Sequence, residues 1–221
     1  MTTSLKLAIQ LHLFLLLVAG KAIMQKENHL IGVILAGGGS TRFGTPKAFA
    51  NYKNKPFYQH AIDALASHVD HIVIVSHPSI RACFEVKDDV DVIEDIEPFI
   101  GKGPLSGLYT VMKQFQASWY IVLPCDMPQF NTIAAGKLVS EMDDHYEAIV
   151  PQVAGRMNPL SALYQSHSFI HLKQQLATGN YRMIDFIDRL STSILTEQQL
   201  ELDEHYFQNV NDRDAYERLR E

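Results

Sequence analysis

The chain has 221 residues, 47% of them hydrophobic and 20% charged, with a formal net charge of −6. That is the composition of an ordinary globular protein, long enough to bury a substantial core in one domain. The acidic balance excludes a general DNA or RNA binder, which needs a basic face to neutralise phosphates. It leaves room for a small anionic ligand in a locally positive pocket.

The first stretch is unlike the rest. Leu5 to Ala19 is apolar apart from Lys6, Gln10 and His12, and the run from Leu13 to Ala19 is unbroken. It resembles a signal-peptide core and falls short of the roughly 20 apolar residues of a membrane span. Residues 1–23 are therefore expected to be an extension or signal-like segment. Residues 24–221 are expected to form a single domain, with Met24 as the natural start. Cys83 and Cys125 have neither CxxC nor zinc-type spacing, which fits reduced thiols in a cytoplasmic protein.

From Leu30 the pattern becomes regular. Ile31 to Leu35 is a short apolar run rich in β-branched residues, which predicts a buried strand of a parallel sheet. A helix is expected from Pro56 to Val69, with Phe57, Ala61, Ile62, Leu65 and Ala66 on one face. Ile72–Val75 and Val90–Ile93 read as further strands. Leu105–Phe115 reads as a helix opened by Pro104, and Trp119–Leu123 as another buried strand. The second half is less regular: strands at Ala148–Pro151 and Leu160–Tyr164, helices at His167–Leu176 and Met183–Leu190, a last strand at Phe207–Asn211, and a final helix capped by Asp212. This alternation implies an α/β fold of three layers, α/β/α, with a mostly parallel, Rossmann-like sheet. Ligands of such sheets sit beyond the carboxyl ends of the strands. The loops after Leu35, Ile93 and Leu123 are then the places to look.

The first of those loops runs Leu35-Ala36-Gly37-Gly38-Gly39-Ser40-Thr41-Arg42-Phe43-Gly44-Thr45-Pro46-Lys47. Successive glycines let backbone N–H groups turn inward into an anion-binding nest. Arg42 and Lys47 add positive charge, a combination suited to a triphosphate. Two familiar patterns fail. Gly39 and Gly44 have P-loop spacing, but Thr45-Pro46 follows in place of Lys-Ser. Gly37 and Gly39 suit a dinucleotide fingerprint, but Arg42 stands at its third glycine.

LAGGGSTRFGTPKAF resembles the LAGGxSxRxGxxK signature of GT-A-like nucleotidyltransferases. Gly103-Pro104-Leu105-Ser106-Gly107, Leu123-Pro124-Cys125-Asp126-Met127-Pro128, Asn158-Pro159-Leu160-Ser161-Ala162 and Asn209-Val210-Asn211 resemble later blocks of the molybdenum cofactor guanylyltransferase (MobA-like) family. The likeness runs from about Ile31 to the C-terminus. It implies a nucleotidyltransferase that moves GMP from GTP to molybdopterin and releases pyrophosphate, with Mg2+ as cofactor and no nucleic-acid or membrane partner. It also implies contact with other proteins of molybdenum cofactor biosynthesis.

Nucleotidyl transfer brings two phosphates together, so it needs a cation held by one or two carboxylates. Asp126, at the end of a buried strand, is the candidate metal ligand and, with Lys47, the candidate catalytic residue. The resemblance places Asp95 in contact with the nucleotide, with Glu94 as its neighbour. Leu35, Ala36, Gly37, Gly38, Arg42 and Lys47 are the remaining candidate nucleotide contacts. The family position that often holds Asn falls at Val75-Ser76 here, a departure at the base or ribose edge. Arg156, Lys173 and Arg182 are available for an anionic acceptor, and the resemblance puts Asn209 and Asn211 near the nucleotide and metal. Cys125 reads as packing beneath the site, since no adjacent His would activate it. A CTP-dependent molybdopterin cytidylyltransferase or a sugar-phosphate nucleotidyltransferase would share the loop and the aspartate; a further alternative, a non-catalytic nucleotide-binding protein, is opposed by the intact Lys47, Asp95 and Asp126.

Overall fold

A computed structural model of the protein describes residues 29–38 and 46–220. Arg42 and the signal-like segment lie outside the described residues. The strands are β1 (Leu30–Ala36), β2 (Asn51–Tyr52), β3 (Lys55–Pro56), β4 (His71–Ser76), β5 (Val90–Ile93), β6 (Trp119–Pro124), β7 (Ala148–Val153), β8 (Arg156–Met157), β9 (Ala162–Gln165) and β10 (Thr192–Thr196). The helices are α1 (Phe57–Leu65), α2 (Pro104–Gln114), α3 (Thr132–Ser140), α4 (Phe169–Ala177), α5 (Met183–Ile187), α6 (Glu197–Leu200) and α7 (Arg213–Arg220).

The main sheet has the order β10-β7-β9-β6-β1-β4-β5, with β8 paired to β7, while β2 and β3 form a separate hairpin. β1 is parallel to both β4 and β6, β4 to β5, and β7 to β10. β9 alone reverses the direction within that order, pairing antiparallel with β6 and β7.

Side-chain alternation divides the core into two layers, one on each face of the sheet. Leu30 and Ile34 of β1, Ile72 and Ile74 of β4, and Trp119, Ile121 and Leu123 of β6 pack with α1 and α3. Ile31 and Val33, Val73 and Val75, and Tyr120 and Val122 pack on the other face with α2, α4 and α5. Because both faces are covered, these strands carry apolar residues at nearly every position. Each such side chain contributes roughly 1.5–3 kcal/mol on burial, which fixes their register against the helices.

The strand expected at Phe207–Asn211 is absent. A 3-10 turn, Glu204–Phe207, occupies its start. Beyond it one backbone bond, Val210 N–H to the Asp126 carbonyl at 2.8 Å, ties the segment to the end of β6. One bond anchors a segment without making a ladder. The final helix does form, and Asp212 Oδ1 accepts from Ala215 N–H at 2.8 Å.

Several elements carry no strong sequence signal. In β10 only Leu195 is buried, because it is the sheet's edge. α3 depends on its cap: Asn131 Oδ1 accepts from Ile133 N–H at 3.0 Å and Ala134 N–H at 3.2 Å. Gly136, in the middle of α3, leaves room for His68, whose ring carbon Cε1 would lie 2.9 Å from an added Cβ. Asn131→Ala is expected to cost about 1 kcal/mol and to lower the melting temperature by about 2–4 °C. Asn131→Asp, which keeps the acceptor, should remain close to wild type. Thermal denaturation of the two variants checks this.

Candidate active site

β1, β4, β5 and β6 all end on one edge of the sheet, and a pocket of about 610 Å³ opens there. Leu35, Ala36, Gly37 and Gly38 form one wall as β1 runs out. Val75 and Ser76 close β4, Glu94 and Asp95 follow β5, and Pro124, Cys125 and Asp126 close β6; all of them line the same space. The three loops singled out by the sequence thus meet in one cavity.

The fourth wall is the start of α2. Gly103 takes φ 90°, a conformation open to glycine, and Pro104 begins the helix. At Gly107 an added Cβ would come within 2.8 Å of Leu35 Cδ2 and 3.5 Å of Val75 Cγ1. Glycine there lets the first turn of α2 rest on the ends of β1 and β4. That close approach is the physical content of the GPLSG block.

Lys47 sits in a short 3-10 turn, Lys47–Phe49, anchored by the buried Ala48. Its Nζ donates to Asp126 Oδ2 at 3.0 Å and to Asn211 Oδ1 at 3.0 Å. The Lys47 and Asp126 side chains are 16% and 20% exposed. Asp126 is fixed from both sides of its backbone. The preceding N–H, that of Cys125, donates to the Leu35 carbonyl at 3.1 Å, and the Asp126 carbonyl accepts from Val210 N–H at 2.8 Å. The latter bond also places Asn209 and Asn211 on the pocket wall.

Asp95 stands apart from this cluster in its chemistry. Its Oδ2 accepts from Gly101 N–H at 3.0 Å, while Oδ1 is buried with no hydrogen-bond partner. Burial pushes the carboxyl above its usual range, and the Gly101 N–H offsets this in part. Cys125 is buried against the cluster. Desolvation, and then the neighbouring Asp126 carboxylate, push its thiol up to about 12. It stays protonated at neutral pH and is no nucleophile.

Of the candidate residues, Leu35, Ala36, Gly37, Gly38, Lys47, Asp95 and Asp126 line this one pocket. Arg42 lies outside the described residues. Arg156, Lys173 and Arg182 do not line it; all three are exposed, and Arg182 pairs with Asp185 at 3.8 Å. Sequence reasoning passed over His77, Pro78 and Ile100, which also line it, and read Leu160 only as part of the Asn158–Ala162 block and of a strand. His77 Nδ1 accepts from Ser79 N–H at 3.2 Å and so caps the turn after β4. The only sequence signal at Ile100 is a large apolar residue just before Gly101 in a loop of mixed character; it is 49% exposed. Among the described residues, no three His, Cys, Asp or Glu side chains converge to hold a metal, and no helix is long and apolar enough to cross a membrane.

Comparison with known proteins identifies the family and the fold. The chain is 41% identical over 184 residues to a probable molybdenum cofactor guanylyltransferase of a Geobacillus species, covering 83% of this chain and 94% of that one. It is 36% identical over 188 residues to a protein of the same name from Halalkalibacterium halodurans, covering 83% and 95%. Among solved structures, molybdopterin-guanine dinucleotide biosynthesis protein A of Archaeoglobus fulgidus shares the fold with a TM-score of 0.72 at 20% identity, covering 86% of this chain and 96% of that chain. The inositol-1-phosphate CTP transferase of T. maritima shares it with a TM-score of 0.60 at 12% identity, covering 75% and 84%. The description "MobA-like NTP transferase domain" matches residues 32–193, and the chain belongs to that family of nucleotidyltransferases.

Proposed function

We propose that the protein transfers the GMP moiety of GTP to a molybdopterin cofactor and releases pyrophosphate. The observation that carries this reading is the convergence of Lys47, Asp126 and Asn211 beside the glycine-rich end of β1. It joins a cation for phosphate to two oxygens for a metal in one pocket. The names of the relatives supply the base and the acceptor.

In this reading Leu35 to Gly38 lie along the nucleotide, and the backbone beyond the end of β1, from Gly37 on, turns its N–H groups toward the phosphates. Lys47 offers its ammonium to the triphosphate as a point charge, with Arg42 of the same loop as a second cation. Asp95 Oδ1, lacking a donor among the described residues, accepts a hydrogen bond from the nucleotide. The acceptor's phosphate oxygen then attacks the α-phosphorus while the bond to the β-phosphate oxygen breaks. No covalent enzyme intermediate is needed, because alignment of the two substrates is itself worth several kcal/mol.

The protein oxygens suit Mg2+. Asp126 Oδ2 and Asn211 Oδ1 already converge on one ammonium, and magnesium takes a carboxylate or two with the remainder from phosphate and water. When bound, the ion neutralises charge on the phosphates and on the departing pyrophosphate. Residues 24–221 act as one nucleotidyltransferase domain in the cytoplasm, where GTP is abundant.

Asp126→Ala is expected to fold and to lose turnover by at least about a hundredfold, measured as pyrophosphate released from GTP in the presence of molybdopterin. Near-normal release would remove Asp126 from the site. Calorimetry in magnesium should show GTP bound more tightly than CTP, ATP or UTP; a preference for CTP would move the chain to the cytidylyl reaction.

Asp95 provides a pH signature. Its carboxyl is raised in the folded chain, so the folded state holds the proton more tightly than the unfolded state. Its contribution favours folding below the unfolded carboxylate range and is lost as pH rises through the folded value. Asp95→Asn should therefore raise the melting temperature near neutral pH, with the gain shrinking toward about pH 4. GTP affinity should fall at the same time. Parallel melting and binding measurements check both halves.

A further inference from the structure

The two oxygens suited to a divalent ion are already in use. Asp126 Oδ2 and Asn211 Oδ1 each accept from Lys47 Nζ at 3.0 Å. The ammonium is a cation seated where hard oxygen ligands meet. A divalent ion and the ammonium compete for Asp126 Oδ2, because two cations on one partly buried carboxylate oxygen repel each other. The lysine is also built to leave. Its backbone is pinned by Ala50 N–H donating to the Lys47 carbonyl at 3.0 Å, whereas its charge rides on a flexible four-carbon stem.

On the reading of the site as a nucleotidyltransferase, we infer that Lys47 is a built-in counter-ion. It holds the oxygens of Asp126 and Asn211 until a triphosphate draws its ammonium away, so the divalent ion enters after or together with the nucleotide. The charge balance gives the reason. Lys47 and Asp126 neutralise each other, so a divalent ion arriving alone finds no net negative charge on that pair. A triphosphate reverses the balance, takes up the ammonium and makes room for the ion. Glu94 and Asp95 line the pocket as well, but the Lys47 ammonium donates to Asp126 and Asn211, and Arg81 Nη1 lies 3.6 Å from Glu94 Oε1. Coupling of this kind is reciprocal: nucleotide must tighten the metal by the same factor as metal tightens the nucleotide.

The test is binding of Mn2+ to the full chain, followed by calorimetry, with no activity readout. Without nucleotide, Lys47→Met should bind Mn2+ at least about tenfold more tightly than wild type. Lys47→Arg, which keeps the charge, should bind it as weakly as wild type. Adding Asp126→Asn to Lys47→Met should remove the gain. Wild type together with the α,β-methylene analogue of GTP should bind Mn2+ more tightly than either the protein or the analogue binds it alone. Melting curves verify that each variant is folded. Equal Mn2+ affinity in wild type and Lys47→Met, tight binding in Lys47→Arg, or a gain that survives Asp126→Asn each overturns the counter-ion. If the GTP analogue binds wild type but the Lys47 variants behave alike, this inference falls and the transferase reading stands. If wild type binds no nucleoside triphosphate, both fall.

Discussion

The parallel run of β1, β4, β5 and β6 is the constraint on which the rest depends. Parallel strands buried on both faces must end on the same edge, and each must be followed by a connection that leaves that edge. Four segments far apart in sequence are thereby delivered to one place without long-range design of their own. Lys47 and Asp126, separated by 79 positions, come within hydrogen-bond distance because β1 and β6 are neighbours in register. The bond from Cys125 N–H to the Leu35 carbonyl extends that pairing past the strand and into the pocket wall.

Much of this was legible in the letters. β1, β4 and β6 announced themselves because strands covered on both sides need apolar side chains throughout. Leu35 to Gly38, Lys47, Asp95 and Asp126 stood out as glycines and charges where an apolar run stopped. Their meeting in one pocket follows from the sheet order, which alternation of strands and helices made predictable. α3 was not legible, since its Ala134-Ala135-Gly136 stretch is weakly patterned and its start depends on one Asn131 side chain. β10 was missed because an edge strand needs only one buried side chain to hold its place. The segment around Asn209 carried strand-like letters, yet it reaches the sheet through a single bond.

The unread part of the pocket has a different character. His77 and Ile100 are ordinary residues that matter by location alone, and Ser76 was legible only as a departure from the family pattern. Ser76 Oγ donates to the Ile93 carbonyl at 3.4 Å, joining the ends of β4 and β5, and no pattern of residue types foretells such a contact. The Asp95 orphan oxygen is likewise invisible in sequence. It arises because the turn through Gly101 satisfies one carboxylate oxygen and buries the other.

Within the main strand order β9 runs against its neighbours, and that reversal has an evolutionary reading. Since β9 is antiparallel to β6, the loop that leads into it, and not the loop that leaves it, arrives at the working edge, bringing Leu160 to the pocket. The turn between β7 and β8, with Ala154 and Gly155 at positive φ, belongs to the same excursion. The walls made by β1, β4, β5 and β6 owe nothing to the length of that excursion. Insertions or deletions there can remodel one side of the cavity while the glycine-rich side keeps its shape. A fold divided in this way is modular, and the same scaffold is found in a guanine dinucleotide biosynthesis protein and in an inositol-1-phosphate CTP transferase.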